Sequence, residues 1–238
     1  DYYHLHEPYS NNYIRALTYK GIVRTRMGVT DSTVYEPLKK ADHIFHTQKN
    51  PDPAIGYILH YFLGNTHFNN ASYVLADKYF QESLHNAKLK KDSTHIFDAY
   101  LAIYWNEMAQ SDFDAGKKYV DTLSLFFDEI PDKNYLILNA QSVYYEATKE
   151  FEKALECDKK LLTLTKSQKE DIDFSSLYFA VSDRYNTLNQ LDSAMLYGQI
   201  AIESIVDENK KENYLFYDNV ANIAEKQQNY LLANTYRQ

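Results

Sequence analysis

The sequence predicts an all-α solenoid of about six antiparallel helix pairs, and three observations predict it. Only six glycines and five prolines interrupt 238 residues, so turns are scarce and long helices are favoured. A pair of positions recurs in one register: Tyr35 with Leu38, Tyr73 with Ala76, Phe113 with Gly116, Phe151 with Ala154, Leu191 with Ala194 and Tyr230 with Ala233. The second members stand 38, 40, 38, 40 and 39 residues apart, and five of the six are small, a period that marks a repeat array. Between the marked positions, apolar residues run at helical spacing, as in 98–108 and 176–185, with no strand alternation.

Each unit is legible in order. Twelve residues before the second member of each pair lies another site that is usually small: Gly64, Tyr104, Ser142, Ser182 and Ala221. In the first unit Gly21 fits once about five residues are inserted before Leu38. Small residues let antiparallel helices approach closely, and rings fill the space beside them. A short break (68–72, 111–113, 149–151, 228–230) ends the first helix, and the bulky residue opens the second. Charged connectors (88–93, 128–134, 166–173, 206–213) separate units, with Ser93, Asp112, Asn134, Asp173 and Asn213 as expected N-caps. The expected array is single, with units near 9–50, 53–90, 93–130, 133–170, 173–210 and 212–238. The last unit stops in its second helix with no cap, and the chain opens on Asp1. The expectation is therefore a module cut from a longer polypeptide.

Composition and motifs exclude several functions. A net charge of −8 with a pI near 5.5 argues against nucleic acid. The lone Cys157 rules out an internal disulfide framework and a thiolate metal cluster. The longest stretch without Asp, Glu, Lys or Arg, 53–76, contains His60, Asn65, Thr66 and His67 and reads as helix, turn and helix. No membrane contact is expected from this segment. All eight histidines lie between 4 and 95. His43 and His46 share a helical face, as do His60 and His67, but neither pair carries the Glu of a His-Glu-x-x-His motif. His60 and His67 are expected as core histidines, and no metal or cofactor is expected. Cys157 has no base beside it, and carboxylates such as Glu150, Glu152, Glu170, Asp171 and Asp173 fall in connectors. There is no catalytic constellation, so the chain is not expected to be an enzyme.

The small and aromatic positions resemble the tetratricopeptide repeat (TPR) family. The second unit carries Gly64, Tyr73, Ala76 and Phe80, with Ser83 where alanine is usual; the fifth carries Ser182, Tyr185, Leu191, Ala194 and Ala201. The likeness covers roughly 13–238, as a long-unit variant of 38–40 residues that lacks the usual Trp and closing Pro. It implies a right-handed superhelix whose first helices line a concave groove. Inward positions carried over from the family are Tyr61, Asn65, Phe68 and Asn69, then Asp98 and Trp105, then Asn139 and Glu146, then Phe179, Asp183 and Asn186, then Asp218 and Asn222. Carboxamides there can donate to and accept from an extended peptide, and rings can seat apolar side chains. Tyr61, Leu101, Asn139, Phe179 and Asp218 stand where a carboxylate-clamping groove needs Lys or Arg, so such a ligand is disfavoured.

The resemblance implies a non-catalytic protein- or peptide-binding scaffold. Long units rich in Tyr, Asn and Lys further resemble the sensor portion of bacterial membrane-tethered regulators, which implies signal transduction and an extracytoplasmic position, with a cytoplasmic adaptor as the alternative. A rival expectation is an oligomerisation or spacer module, with Tyr79, Tyr119 and Tyr197 exposed as an apolar patch on the second helices.

Overall fold

The computed structural model describes residues 9–27, 32–168, 174–205 and 213–237. Twelve α-helices account for most of them: α1 (Asn11–Arg26), α2 (Ser32–Thr47), α3 (Pro53–Asn69), α4 (Tyr73–Lys90), α5 (Ser93–Ala109), α6 (Phe113–Ser124), α7 (Asn134–Ala147), α8 (Phe151–Gln168), α9 (Phe174–Thr187), α10 (Leu191–Glu203), α11 (Tyr214–Lys226) and α12 (Tyr230–Tyr236). A 3₁₀ turn, Pro131–Lys133, precedes α7, and no strand occurs among the described residues. No described helix is long and apolar enough to cross a membrane. Sequence neighbours pack as pairs within two compact units, Asp1–Phe126 and Phe127–Gln238.

The repeated bulky residue is the first residue of α4, α6, α8, α10 and α12. Two positions before each, the backbone turns left-handed: Ala71, Ser111, Lys149, Asn189 and Gln228 all have φ between 55° and 63°. The next amide then donates back across the turn, as Ser72 N to His67 O, Asp112 N to Glu107 O and Glu150 N to Tyr145 O. Gln190 N to Tyr185 O and Asn229 N to Ala224 O complete the set. This is the Schellman closure, which satisfies carbonyls stranded at the helix end. One short turn, used five times, therefore reverses the five pairs from α3–α4 to α11–α12.

Capping differs from expectation at most sites. Asp112 Oδ1 accepts from Ala115 N at 3.0 Å, as expected. At α5 the cap is Asp92, whose Oδ1 accepts from His95 N at 3.1 Å, and Ser93 is the first helical residue. A carboxylate there also answers the positive helix N-terminus. Asn134 lies one residue inside α7 and is buried, while Asn213 precedes α11 in a helical conformation with no side-chain cap. Asp173 falls outside the described residues.

Packing in the first unit joins α1, α2 and α3 through Ile14, Leu38, Ile44, Phe45, Leu59 and Leu63. A second cluster joins α4 to α5 through Ala76, Phe80, Leu84, Ala99 and Ile103. Gly64 is required by close approach, since a Cβ there would lie 2.4 Å from the Phe80 ring. In the third unit the equivalent site holds Tyr104, which is fully buried. The second unit centres on Leu155, Val181, Tyr185, Ala194 and Ile223 of α8 to α11.

Candidate functional site

In the second unit, the first helices of three successive pairs bring polar side chains together. Arg184 of α9 is 7% exposed, and burying a guanidinium requires charge partners and hydrogen bonds. Its Nη2 donates to Glu146 Oε2 of α7 at 2.6 Å and its Nη1 to Asp183 Oδ2 at 3.1 Å. Its Nε faces Asp158 Oδ2 of α8 at 3.5 Å, an ion pair without hydrogen-bond alignment. The other Asp158 oxygen accepts from the hydroxyl of Ser142.

The polar row continues to α11. Asn219 Nδ2 donates to Ser182 Oγ at 3.1 Å, and that hydroxyl donates to the Ala194 carbonyl at 2.7 Å. Asn186 Nδ2 donates to Asn219 Oδ1 at 3.2 Å, while Asn186 Oδ1 accepts from Lys226 Nζ at 2.6 Å. Farther along, Asn222 Nδ2 donates to Asp218 Oδ2 at 3.1 Å, and Arg237 of the segment after α12 donates to Asn222 Oδ1 at 2.9 Å and pairs with Glu225. Burial pushes the carboxyl groups of Asp158 and Asp183 above the ordinary range, against the pull of Ser142 and Arg184 on the first and of Arg184 on the second.

Of the expected groove residues, Glu146 and Asp183 meet through Arg184, Asn186 bonds separately to Asn219 and Lys226, and Asp218 and Asn222 meet each other. Asn139 is exposed on α7, and Phe179 lies 4.8 Å from the Phe216 ring. In the first unit Tyr61 and Phe68 pack onto the α4–α5 core. Trp105 is half-buried against Tyr104 at 4.8 Å, Asn65 and Asp98 are half-buried, and Asn69 is exposed. Arg184, Asp158 and Asn219 were not among the expected residues. The signal for them was present in Ser142 and Ser182: serine at a small-residue site brings a hydroxyl that a buried polar partner must meet.

The rival aromatic patch does not form among the described residues. Tyr79 stacks on His67 at 5.4 Å, Tyr119 leans on Tyr100 at 6.2 Å, and Tyr197 stacks on Tyr185 at 5.5 Å. All three are half-buried because they fill gaps between helices, whereas Tyr230, Leu231, Val74 and Leu196 of the second helices are exposed. Cys157 is buried, its Sγ 3.8 Å from Gln141 Oε1, and burial pushes its thiol up to about 11. A thiol held protonated is no nucleophile. The histidine pairs read from helical spacing are not the ones that gather: His43 is exposed and His67 packs against Tyr35 and Tyr79. His46 and His60 come together instead, beside Asp42 and Glu82. His4 and His6 fall outside the described residues.

No protein-family model matches the sequence, and no curated protein matches it. Solved structures do. The chain is similar to the apo form of RapI over 86% of its length, at 15% identity and a TM-score of 0.74. It is similar to the signal-transduction ATPase with a tetratricopeptide repeat sensor from Pyrococcus horikoshii over 93%, at 12% identity and a TM-score of 0.70. It is similar to NprR in complex with its cognate peptide NprX over 93%, at 16% identity and a TM-score of 0.61. It spans 57%, 41% and 65% of those three chains. Identities this low speak for the fold alone. Small residues at a 38–40-residue period, one turn repeated five times and these likenesses agree: the chain has the tetratricopeptide-type helical repeat fold.

Proposed function

We propose that this chain is a non-catalytic module that binds an extended protein or peptide segment along α7, α9 and α11. The carrying observation is a pair of neighbouring bonded groups: Glu146, Arg184 and Asp183 in one, and Asn186, Asn219 and Lys226 in the other. These bonds fix the side chains in place before any partner arrives, which lowers the entropy lost on binding. Each carboxamide has two N–H groups and two acceptor lone pairs, more than the row consumes at Asn186. Glu146, Asp183 and Asp218 keep 46%, 40% and 56% of their side-chain surface, whereas Arg184 keeps 9%. With Glu225 added and the exposed Lys226 and Arg237 set against them, the accessible charge is net acidic and suits a segment carrying Lys or Arg. The peptide in the NprR complex supports this class of partner for the fold.

A further part of the reading is that the module senses its partner on behalf of a larger regulatory protein, which the tetratricopeptide sensor of the Pyrococcus ATPase supports. Peptides that bind the module would then alter the output of its parent protein, and an output blind to them removes that role.

A randomised peptide library displayed on phage and selected on the immobilised chain tests the binding reading. Enriched peptides are expected to be basic and to lose at least about tenfold in affinity against Glu146→Gln combined with Asp183→Asn, since each lost charge contact is worth roughly 1–2 kcal/mol. Failure to enrich any peptide, or equal binding to the double variant, overturns it.

A further inference from the structure

Asp42, His46, His60 and Glu82 come from three helices of the first compact unit, and one ligand atom from each lies within 4.8 Å of all the others. α2 supplies Asp42 and His46, four residues apart on one face; α3 supplies His60 and α4 supplies Glu82. His60 Nε2 is 3.0 Å from Asp42 Oδ1 and 3.2 Å from Glu82 Oε2, and His46 Nε2 is 3.5 Å from the same Glu82 oxygen. Four ligands placed about 2.0–2.2 Å from a tetrahedral ion stand roughly 3.3–3.6 Å from one another. The three separations come within 0.3 Å of that spacing, and the remaining pairs lie within 4.8 Å.

The hydrogen bonds around the cluster point the same way. His60 bridges the two sides of the cluster, its Nδ1 3.3 Å from Asn86 Nδ2 and its Nε2 3.0 Å from Asp42 Oδ1. His46 Nδ1 donates to the Asp42 carbonyl at 3.0 Å, which turns its Nε2 toward Glu82 Oε2 at 3.5 Å. Glu82 Oε2, the atom it faces, is buried and accepts no hydrogen bond. That oxygen stands between the Nε2 atoms of His46 and His60 at 3.5 and 3.2 Å, and His60, 1% exposed, closes the floor. Lys78 reaches only the other Glu82 oxygen, at 3.8 Å.

We propose that these four residues bind a divalent transition-metal ion of the zinc class, tying α2 to α3 and α4. Two imidazoles with two carboxylates suit Zn(II), Co(II), Ni(II) or Fe(II), and suit Ca(II) and Mg(II) poorly. The surroundings fit an oriented site. Phe45 sets its ring edge-on to both imidazoles, at 5.7 and 5.1 Å. Gly56 makes room for it, because a Cβ there would lie 2.6 Å from Phe45 Cζ and 2.7 Å from Asn86 Cγ. Asn86 Nδ2, beside His60 Nδ1, also donates to the Glu82 carbonyl at 2.8 Å, which ties the far side of His60 to the helix that carries Glu82. His46, half-exposed, stands at the entrance.

The test uses the untagged chain, stripped with EDTA, dialysed and titrated with zinc sulfate by calorimetry, with Co(II) as a spectroscopic probe. One equivalent of zinc is expected to bind and raise the melting temperature, and Co(II) to give the visible band of a four-coordinate site. Glu82→Gln and His46→Ala, both at partly exposed positions, should each weaken binding more than tenfold. His85→Ala, exposed on α4, should leave it unchanged. No heat and no melting shift at about 100 µM zinc, or undiminished binding by both site variants, overturns the proposal. The site residues lie in the first unit and the proposed peptide contacts in the second, so either reading can fail without the other.

Discussion

Arg184 Nη2 donates to Glu146 Oε2 at 2.6 Å across 38 positions of sequence, one interval of the repeat. The two ends of this bond are unlike: Arg184 keeps 9% of its side-chain surface and Glu146 keeps 46%. Removing the buried end strands charge, whereas removing the exposed end leaves Arg184 with Asp183 and Asp158. Arg184→Met is therefore expected to cost about 3 kcal/mol or more, and Glu146→Gln less than about 1 kcal/mol because water screens it. Urea unfolding of both single variants and the double variant checks this; equal costs would mean that the pair is screened at both ends.

The same cluster sets a pH dependence. Asp158 and Asp183 hold their protons to higher pH when folded than when unfolded, burial being the largest cause. The folded state then binds more protons, so their contribution to stability is present at acid pH and declines as pH rises from about 4 through the folded values. Asp183→Asn should flatten the fall in urea midpoint between about pH 4 and 6. A wild-type profile that rises through this window faster than the variant's would contradict the sign.

Five turns place a residue with a side chain in the left-handed region: Ala71, Ser111, Lys149, Asn189 and Gln228. That conformation costs an L-residue roughly 1 kcal/mol relative to glycine, with asparagine penalised least. Ala71→Gly, Lys149→Gly and Gln228→Gly should each stabilise by about 0.5–1 kcal/mol, and Asn189→Gly by less. Thermal melts of the single variants decide it, and destabilisation at all three would show that side-chain contacts, not φ, govern these positions.

Those turns show what the sequence could and could not tell. The bulky residue after each turn marks a helix start because its ring must pack, and that requirement leaves a residue type behind. The left-handed position leaves none, since backbone bonds such as Ser72 N to His67 O fix it whichever residue is there. In the candidate site, Glu146, Asp183 and Asn186 stand at positions that only the resemblance to the repeat family singled out. Arg184 and Asp158 were not singled out, because facing positions predict exposure and both are buried. The Asp42–His60–Glu82 group was less legible still, because its members sit on three helices and only their packing brings them within reach.

Cys157 offers a direct probe of the second unit. Burial is the largest cause that lifts its thiol to about 11, and the neighbouring Asp158 adds to it. Only the thiolate attacks a disulfide reagent. At pH 8 a thiol of that pKa is ionised about a hundredfold less than an ordinary cysteine near 8.5–9, and its Sγ is packed near Gln141 besides. Native protein should react with a coloured aromatic disulfide at least about a hundredfold more slowly than protein unfolded in guanidinium. Arg184→Met, by loosening the packing of α8 against α9, should restore much of that rate well below the denaturant concentration that unfolds the parent chain. Stopped-flow absorbance reads both rates, and a native rate equal to the unfolded one would show that α8 does not enclose Cys157.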